Sequence, residues 1–527
     1  MKPARAAILL LPVCLAIGVE KPVALYHGLG AWKHPIATKN SDAQKYFDQG
    51  LALLYGFNRY EALRSFRKAA ELDPQSVMAR WGVAMAQGPY INMDGDPSFD
   101  LKGACAAVAE ANKLTGAPER ERAYLRAIAT WCPNYQPKAY SDAMREVAQR
   151  YPDDPDAQTI FAESLMIPVR WHWYSPNGTA APGMAEAERT LEAVIRRWPD
   201  HPGANHYYIH AVESSPTPER AIPSAQRLMG IVPAAGHMVH MPGHIWLVLG
   251  DWETAANVNE RAVTVDRQYF AATNVTGGTY TPYYFHNIDF IRYARSMQGR
   301  KADALRAADD LNAAFEPMAK MMPEMAENIV PVVLTTYVRF GEWDRVLKAP
   351  QPGAAQKMST AMWRYARAVA LAARGDRSGA NRERDAFEKV KAAQPADTPY
   401  GQNKSGDVLA VAAEILAARL AASPTAAVPH WQKAVTLHDA LIYDEPPDWY
   451  YPVRESLGAA LLRAGKAADA EKVFREGVRR SPRNGRMLFG LLESLKAQAK
   501  TQDAAWVQRE FDAAWAKADI KLRVEDL

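Results

Sequence analysis

Cysteine is nearly absent, with three in 527 residues, one of them inside the first eighteen. A disulfide-stapled scaffold and a CxxC-type metal site are therefore excluded. Net charge is +4 with both signs interspersed, and no basic run has the density of a nucleic-acid tail, so nucleic acid is not an expected partner. Neither a Gly-x-Ser-x-Gly elbow nor a phosphate-cradling glycine loop is present, which leaves little support for nucleophilic or nucleotide chemistry. The alternation that a half-buried strand requires is missing as well. Long apolar runs are confined to the N-terminus, so no transmembrane segment is expected. There, Lys2 and Arg5 precede Ala6 to Ile17 and a small-x-small end, Ala16-Ile17-Gly18. This is the pattern of a secretory signal peptide over residues 1–18, cleaved after Gly18, and it predicts a periplasmic or secreted protein. Cys14 follows Val13, where a lipidation motif would place a small residue. Cys105 and Cys132 remain after cleavage, either paired or as two buried thiols.

What is present is helical periodicity. Residues 43–76 carry small and apolar residues at helical spacing and close on Asp73-Pro74, with Gly50, Ala62, Phe66 and Ala69 at the most informative positions. The same frame returns at Gly465, Ala470, Phe474 and Pro482. A turn signature, Gly-x-aromatic-x-x-Ala, appears at Gly250, Trp252 and Ala255, with degenerate versions at Gly299/Ala304, Gly341/Trp343 and Gly375/Ala380. Small residues let paired helices approach closely, and large apolar ones fill the holes between them. The expected fold is an all-α tetratricopeptide-repeat solenoid with a concave inner face. Its expected organisation is an N-terminal extension over 19–40, repeats over 41–200, a histidine-rich central set over 201–316 and further repeats over 317–527. Three segments break the period and are expected to line a site: 88–98, 167–183 and 272–284. The methionine-dense stretch 318–328 reads as adaptable core packing.

Seven of the twelve histidines fall between His201 and His286. Six belong to three short runs: NHYYIHAVE (His206, His210), GHMVHMPGH (His237, His240, His244) and YYFHN (His286). Counted from the closing prolines and turn glycines, His206, His237 and His286 take the second position of three successive repeats. At about 100° per residue, His237, His240 and His244 fall within roughly 60° of one another, as do His206, His210 and Glu213, and His286, Asp289 and Tyr293. Imidazoles in register on neighbouring helices, with two carboxylates, are the donor set of a transition-metal site for copper, zinc or iron. A metal-free polar groove that takes a peptide, or histidines that only pack, are the alternatives. Pro242 decides whether His237 and His240 lie on a helix or in the loop before it. His172, in an aromatic loop, is a candidate cap for the groove. His27, His34, His201, His430 and His438 read as surface or packing residues. The segment 443–452 joins Asp444, Glu445 and Asp448 to three aromatics between prolines, which suits either a wall closing the groove or a helix connection.

Three passages, YFDQGLALLYGFNRYEALRSFRKAAELDP, the histidine-bearing stretch from HPGANHYYIHAVE to GHMVHMPGHIWLVLGDWETA, and YDEPPDWYYPVRESLGAALL, resemble a group of bacterial exported tetratricopeptide-repeat proteins of poorly defined function. The resemblance covers most of residues 40–490 and implies the fold, not an activity. Members often carry a histidine after Gly-Phe-Asn, where this chain has Arg59. The leading expectation is an exported repeat protein that binds a transition metal through His206, His210, His237, His240, His244 and His286. A metal-dependent hydrolase or oxidase with Glu213 or Asp289 as general base is the enzymatic alternative. A metal-free scaffold that holds a peptide or partner protein in the groove is the third.

Overall fold

A computed structural model describes residues 21–93, 98–275, 280–319 and 325–527 of the chain; the proposed signal peptide lies outside these. Among the described residues, regular structure is helical throughout except for one two-residue hairpin, Pro399–Tyr400 paired with Asn403–Lys404. Successive helices pack against one another as antiparallel pairs, Ser41–Tyr55 on Arg59–Leu72 and Ala467–Arg480 on Gly485–Ala497 among them. The chain is an all-α tetratricopeptide-type solenoid. No described helix is long and apolar enough to cross a membrane.

The repeat shows most plainly at two phenylalanines. The ring of Phe66 lies against Gly50 on one side and Gly82 on the other, where added Cβ atoms would stand 2.7 and 2.3 Å from it. Phe474 repeats this between Gly458 and Gly490, at 2.4 and 2.1 Å. A large side chain thus fills a hole that only glycine leaves open in the helices before and after it. The turns follow the same logic. Gly250, Gly299, Gly341, Gly375 and Gly465 all adopt positive φ between helices, where a Cβ would be strained. In the first repeat, that left-handed position falls on Phe57 instead, at φ 55°.

The solenoid does not leave its inner face open. The N-terminal extension runs back across the central repeats, through Ala234 N–H to Gly28 O (3.0 Å) and Lys21 N–H to Thr273 O (3.1 Å). From the other end, Asp519 accepts from the amides of Lys301 and Ala302, at 2.6 and 2.9 Å. Trp252 Nε1 donates to Arg483 O (3.4 Å), and Gly250 comes so close to Pro482 that a Cβ would sit 2.0 Å from its carbonyl oxygen. The first and last thirds therefore enclose the middle. The histidine-bearing face expected to line a concave groove is buried beneath these segments, through contacts across more than 200 residues. Cys105 and Cys132 form a disulfide, with Cα atoms 5.6 Å apart.

Replacing Phe474 by alanine removes a fully buried ring from between two glycines that cannot relax toward it. The expected cost is about 3–5 kcal/mol, seen as a lower thermal midpoint. An unchanged midpoint would show that this interlock does not hold the C-terminal repeats.

Candidate metal centre

Three helical segments deliver the histidines. Pro202–Glu213 is capped by His201, whose Nδ1 accepts from Ala204 N–H (3.0 Å), and is buried along its whole length. It presents His206, His210 and Glu213 on one side. The second segment is interrupted as Pro242 requires. A turn, Gly236–His240, is followed by Pro242–Val248, and Met241 between them keeps helical φ and ψ of −50° and −38°. The proline removes one N–H without redirecting the chain, so His237, His240 and His244 stay on one face. The third helix, Thr281–Met297, contributes His286.

These six residues form two groups, His206/His210/His237 and His240/His244/His286, and in each group one ring nitrogen per residue lies within 4.8 Å of the others. Glu213 stands between them. Its Oε1 accepts from His210 Nδ1 at 2.7 Å, and its Oε2 accepts from His244 Nδ1. His206 Nδ1 donates to the carbonyl of Tyr55 (2.5 Å), and His240 Nδ1 to Asn259 Oδ1 (2.6 Å). Four imidazoles thus have Nδ1 committed to an acceptor, so the lone pair of each neutral ring is on Nε2. His206 Nε2 faces His237 Nε2 at 3.2 Å, and His240 Nε2 faces His244 Nε2 at 2.7 Å. With both Nδ1 hydrogens donated outward, two lone pairs meet at the latter distance, an arrangement that a shared proton or a bound cation relieves. His210 Nε2 and His237 Nδ1 are buried with no hydrogen-bond partner among the described residues.

The surroundings are apolar. Phe57, in its left-handed turn, stacks on His237 and His210 with ring centroids 4.9 and 5.9 Å away. Phe290 stacks on His244 at 5.1 Å and meets His240 edge-on at 4.6 Å. Of these six histidines all but His286 are at most 2% exposed; His286 is half-buried. Burial, with neighbouring imidazoles adding repulsion, holds His206, His237 and His240 well below the ordinary histidine range. The same causes hold His286 at about 3, and burial lowers His210 as well. Burial alone would raise Glu213, but the imidazoles of His244 and His210 outweigh it and keep the carboxylate at about 2.

The period-breaking segments do reach the site. Trp171 and Trp173 contact the His210 ring at 5.7 and 5.8 Å, whereas His172 between them points outward and is exposed, so the cap is the tryptophans and not His172. Tyr283 packs on His237 at 4.8 Å and is tied to the 88–98 segment by Asn92 Nδ2 (2.8 Å). Tyr280 accepts from His237 N–H (2.9 Å) and donates to buried Asp266 (3.0 Å). The segment 443–452 closes the far side. Tyr443 donates to Glu213 Oε2 (3.2 Å), and Glu445 Oε1 lies 3.7 Å from His244 Nδ1. Burial and the charge of Glu213 push Glu445 well above the usual carboxylate range. Asp289 stands apart from both groups, ion-paired with Arg292 on the wall of a cavity of about 220 Å³ that it shares with His286 and Glu445. Met325 also lines this cavity and Met318 is buried in the core, while residues 320–324 of the methionine-dense stretch lie outside the described residues.

Three further positions are accounted for. Arg59 donates to the carbonyls of Met85 and of Gly88, the latter at 2.9 Å, and covers Tyr90 at 4.0 Å; the two histidine groups assemble without it. His34 and His201 flank Asp156, at 2.8 and 3.2 Å. Tyr55 Oη donates to the same carboxylate at 2.7 Å and Trp32 Nε1 at 3.2 Å. Its oxygens are taken by protein donors, which anchors the N-terminal extension; His34, Asp154 and Asp156 also bring ligand atoms within 4.8 Å of one another, with His34 Nε2 and Asp154 Oδ2 buried and without a hydrogen-bond partner among the described residues.

No protein-family model matches the chain. An uncharacterized protein of Aquifex aeolicus (strain VF5) is 38% identical over 61 residues, which is 11% of this chain and 8% of that protein. The chain therefore spans under a tenth of the curated relative it matches. Among solved structures, yeast Tom70 is 12% identical over 91% of this chain and 92% of that one, with a TM-score of 0.29. A human IFIT1 dimer with m7Gppp-AAAA is 12% identical over 91% and 92%, with a TM-score of 0.33. The P58(IPK) TPR domain is 11% identical over 88% and 99%, with a TM-score of 0.20. At such values the likeness goes no further than a chain of antiparallel helix pairs.

The lowered histidines fix the sign of an acid effect on metal-free protein. Unfolded imidazoles titrate near 6.5 and the folded ones well below it, so between those values the unfolded chain binds more protons. Stability is therefore expected to fall as pH drops through about 6.5, and Glu213 extends the loss as pH falls further toward about 2. Thermal midpoints between neutral pH and about pH 5 in chelator test this, with His237→Phe flattening the slope. A profile independent of pH would contradict it.

Proposed function

We propose that the protein binds two transition-metal ions, one in each histidine group, with Glu213 orienting ligands of both. The observation that carries this reading is the commitment of Nδ1 on His206, His210, His240 and His244 to protein acceptors, with Nε2 turned inward. Carboxylates and carbonyls that fix the outer ring nitrogen are the usual supports of metal-bound histidine. The spacing fits. Imidazoles bound at about 2.0–2.1 Å in tetrahedral geometry stand roughly 3.3 Å apart, near the 3.2 Å between His206 and His237 and within a small ring rotation of the 2.7 Å between His240 and His244. Buried, unpartnered His210 Nε2 supports the reading again. Neutral all-imidazole sets suit copper, zinc or iron, and copper binds such donors most tightly at equal availability.

Export is part of this proposal. The leader pattern at residues 1–18 and the Cys105–Cys132 disulfide both suit an oxidising compartment. A catalytic use, as an oxidase or a hydrolase, is favoured by one observation: the cavity of about 220 Å³ reaches His286, so one histidine group has an open side. Both oxygens of Glu213 are occupied by imidazole donors, which suits an orienting role better than a general base. Binding of a peptide to the histidine-bearing face is disfavoured by its burial beneath the chain's own segments.

Protein purified without a histidine tag and reconstituted with copper or zinc is expected to retain about two equivalents after desalting. His206→Ala/His237→Ala and His240→Ala/His244→Ala are each expected to lose about one of them. No retained metal, together with a thermal midpoint indifferent to chelator, would overturn the proposal.

A further inference from the structure

The C-terminal half contains a second cavity, of about 730 Å³, unconnected with the histidines in its chemistry. Its wall includes Arg339, Arg419, Arg463, Arg486 and Lys521, interleaved with Tyr450 and Tyr451, with Glu525 and Asp526 as the acidic residues of the same wall. Two of these guanidinium groups are buried. The Arg339 side chain is 5% exposed and is held by Glu455 through a two-pronged pair, Nη1 to Oε2 at 2.5 Å and Nη2 to Oε1 at 3.0 Å. Arg486 is 3% exposed and has no such partner. Its Nη1 donates to the backbone carbonyl of Asp526 (2.5 Å), while the carboxylate of Asp526 is taken by Arg523. Among the described residues, no carboxylate forms an ion pair with Arg486, and its Nε, like that of Arg339, is buried without a hydrogen-bond partner.

One buried carboxylate, Glu455, thus lies near two buried guanidinium groups but pairs with Arg339 alone, and Asn484 Nδ2 also donates to it at 3.0 Å. An unpaired buried charge is costly, and a guanidinium does not escape the cost by losing its proton. Burial, with repulsion from Arg339 added, draws Arg486 down only to about 9, so it remains charged at neutral pH. Planar N–H forks with free positions, arrayed round a cavity with aromatic walls, match the geometry of an oxyanion.

We propose that this cavity is a binding site for a small oxyanion of the phosphate or carboxylate type, with the guanidinium groups of Arg486 and Arg339 as its floor. The anion supplies the charge that Glu455 leaves uncompensated, and Arg463 and Lys521 at the rim draw it in. The site is independent of the histidine groups, so its test neither needs nor affects metal.

The probe is inorganic phosphate, compared with succinate and with chloride at matched ionic strength, by thermal midpoint and calorimetric titration of the full chain. Phosphate or succinate at about 10 mM is expected to raise the wild-type midpoint by about 2 °C or more over chloride; whichever acts more strongly distinguishes phosphate from carboxylate as the natural chemistry. Arg486→Met is expected to abolish that increment while leaving the midpoint in chloride unchanged or higher, because it removes a buried unpaired charge. Phosphate and succinate that raise wild type and variant equally, or neither, would overturn the proposal. Should Arg486→Met not fold, the exposed rim variant Arg463→Ala provides the same comparison. An oxyanion affinity lowered several-fold in calorimetry supports the site, and an unaltered one refutes it.

Discussion

The carboxylate of Glu213 is where the two histidine groups meet, and the rest of the centre is arranged around it. One oxygen fixes His210 and the other fixes His244, so a single buried charge sets the tautomer of an imidazole in each group. A carboxylate in such surroundings must be paired or protonated. Here the two imidazoles and the hydroxyl of Tyr443, 230 positions away in the chain, keep it ionised. Taking this charge away would free both rings to rotate and leave the groups without a common reference. The anchoring of Asn259 and the carbonyl of Tyr55 completes the arrangement on either side.

The solenoid explains how so much polarity is held in an interior. Helices made close-packing by interlocked glycine and phenylalanine present side chains at fixed spacing, and the closure of the first and last thirds over the middle removes water from them. Phe57 links the two levels. It takes the left-handed turn position that glycine holds in later repeats, and its ring covers His237 and His210. A strained backbone of this kind persists only where its surroundings over-determine it. Glu445, from the far end of the chain, presses on the opposite face, and its unusual resistance to ionisation follows from burial and from lying beside Glu213.

Much of this was legible in residue spacing. The turn glycines at 250, 299, 341, 375 and 465 and the filling rings Phe66 and Phe474 mark local geometry, which period and residue size dictate. The convergence of the six histidines was legible for the same reason, since register on neighbouring helices is a local property once the repeat is placed. Closure was not legible, because it depends on contacts such as Ala234 with Gly28 and Tyr443 with Glu213, which no periodicity encodes. The same gap hid Asn259 and Tyr55 as partners of the rings. It also favoured His172 over its flanking tryptophans as a cap, since the residue type suggests chemistry while the turn decides which side chain faces inward. Asp289 has the phase of its neighbour His286 but meets Arg292 one turn on, and a local ion pair of that kind withdraws a carboxylate from a site. The pair of guanidinium groups around Glu455 gave no signal in sequence, because Arg339 and Arg486 stand 147 residues apart in the numbering.

Anomalous diffraction from crystals of reconstituted protein, collected at the absorption edge of the added metal, tests the central claim most directly. The account predicts two peaks, one within bonding reach of His206, His210 and His237 and one within reach of His240, His244 and His286, with Glu213 between them and bound to neither. No peak at either group, with the His240–His244 contact unchanged, would show that a proton supplies the positive charge there and would contradict the account.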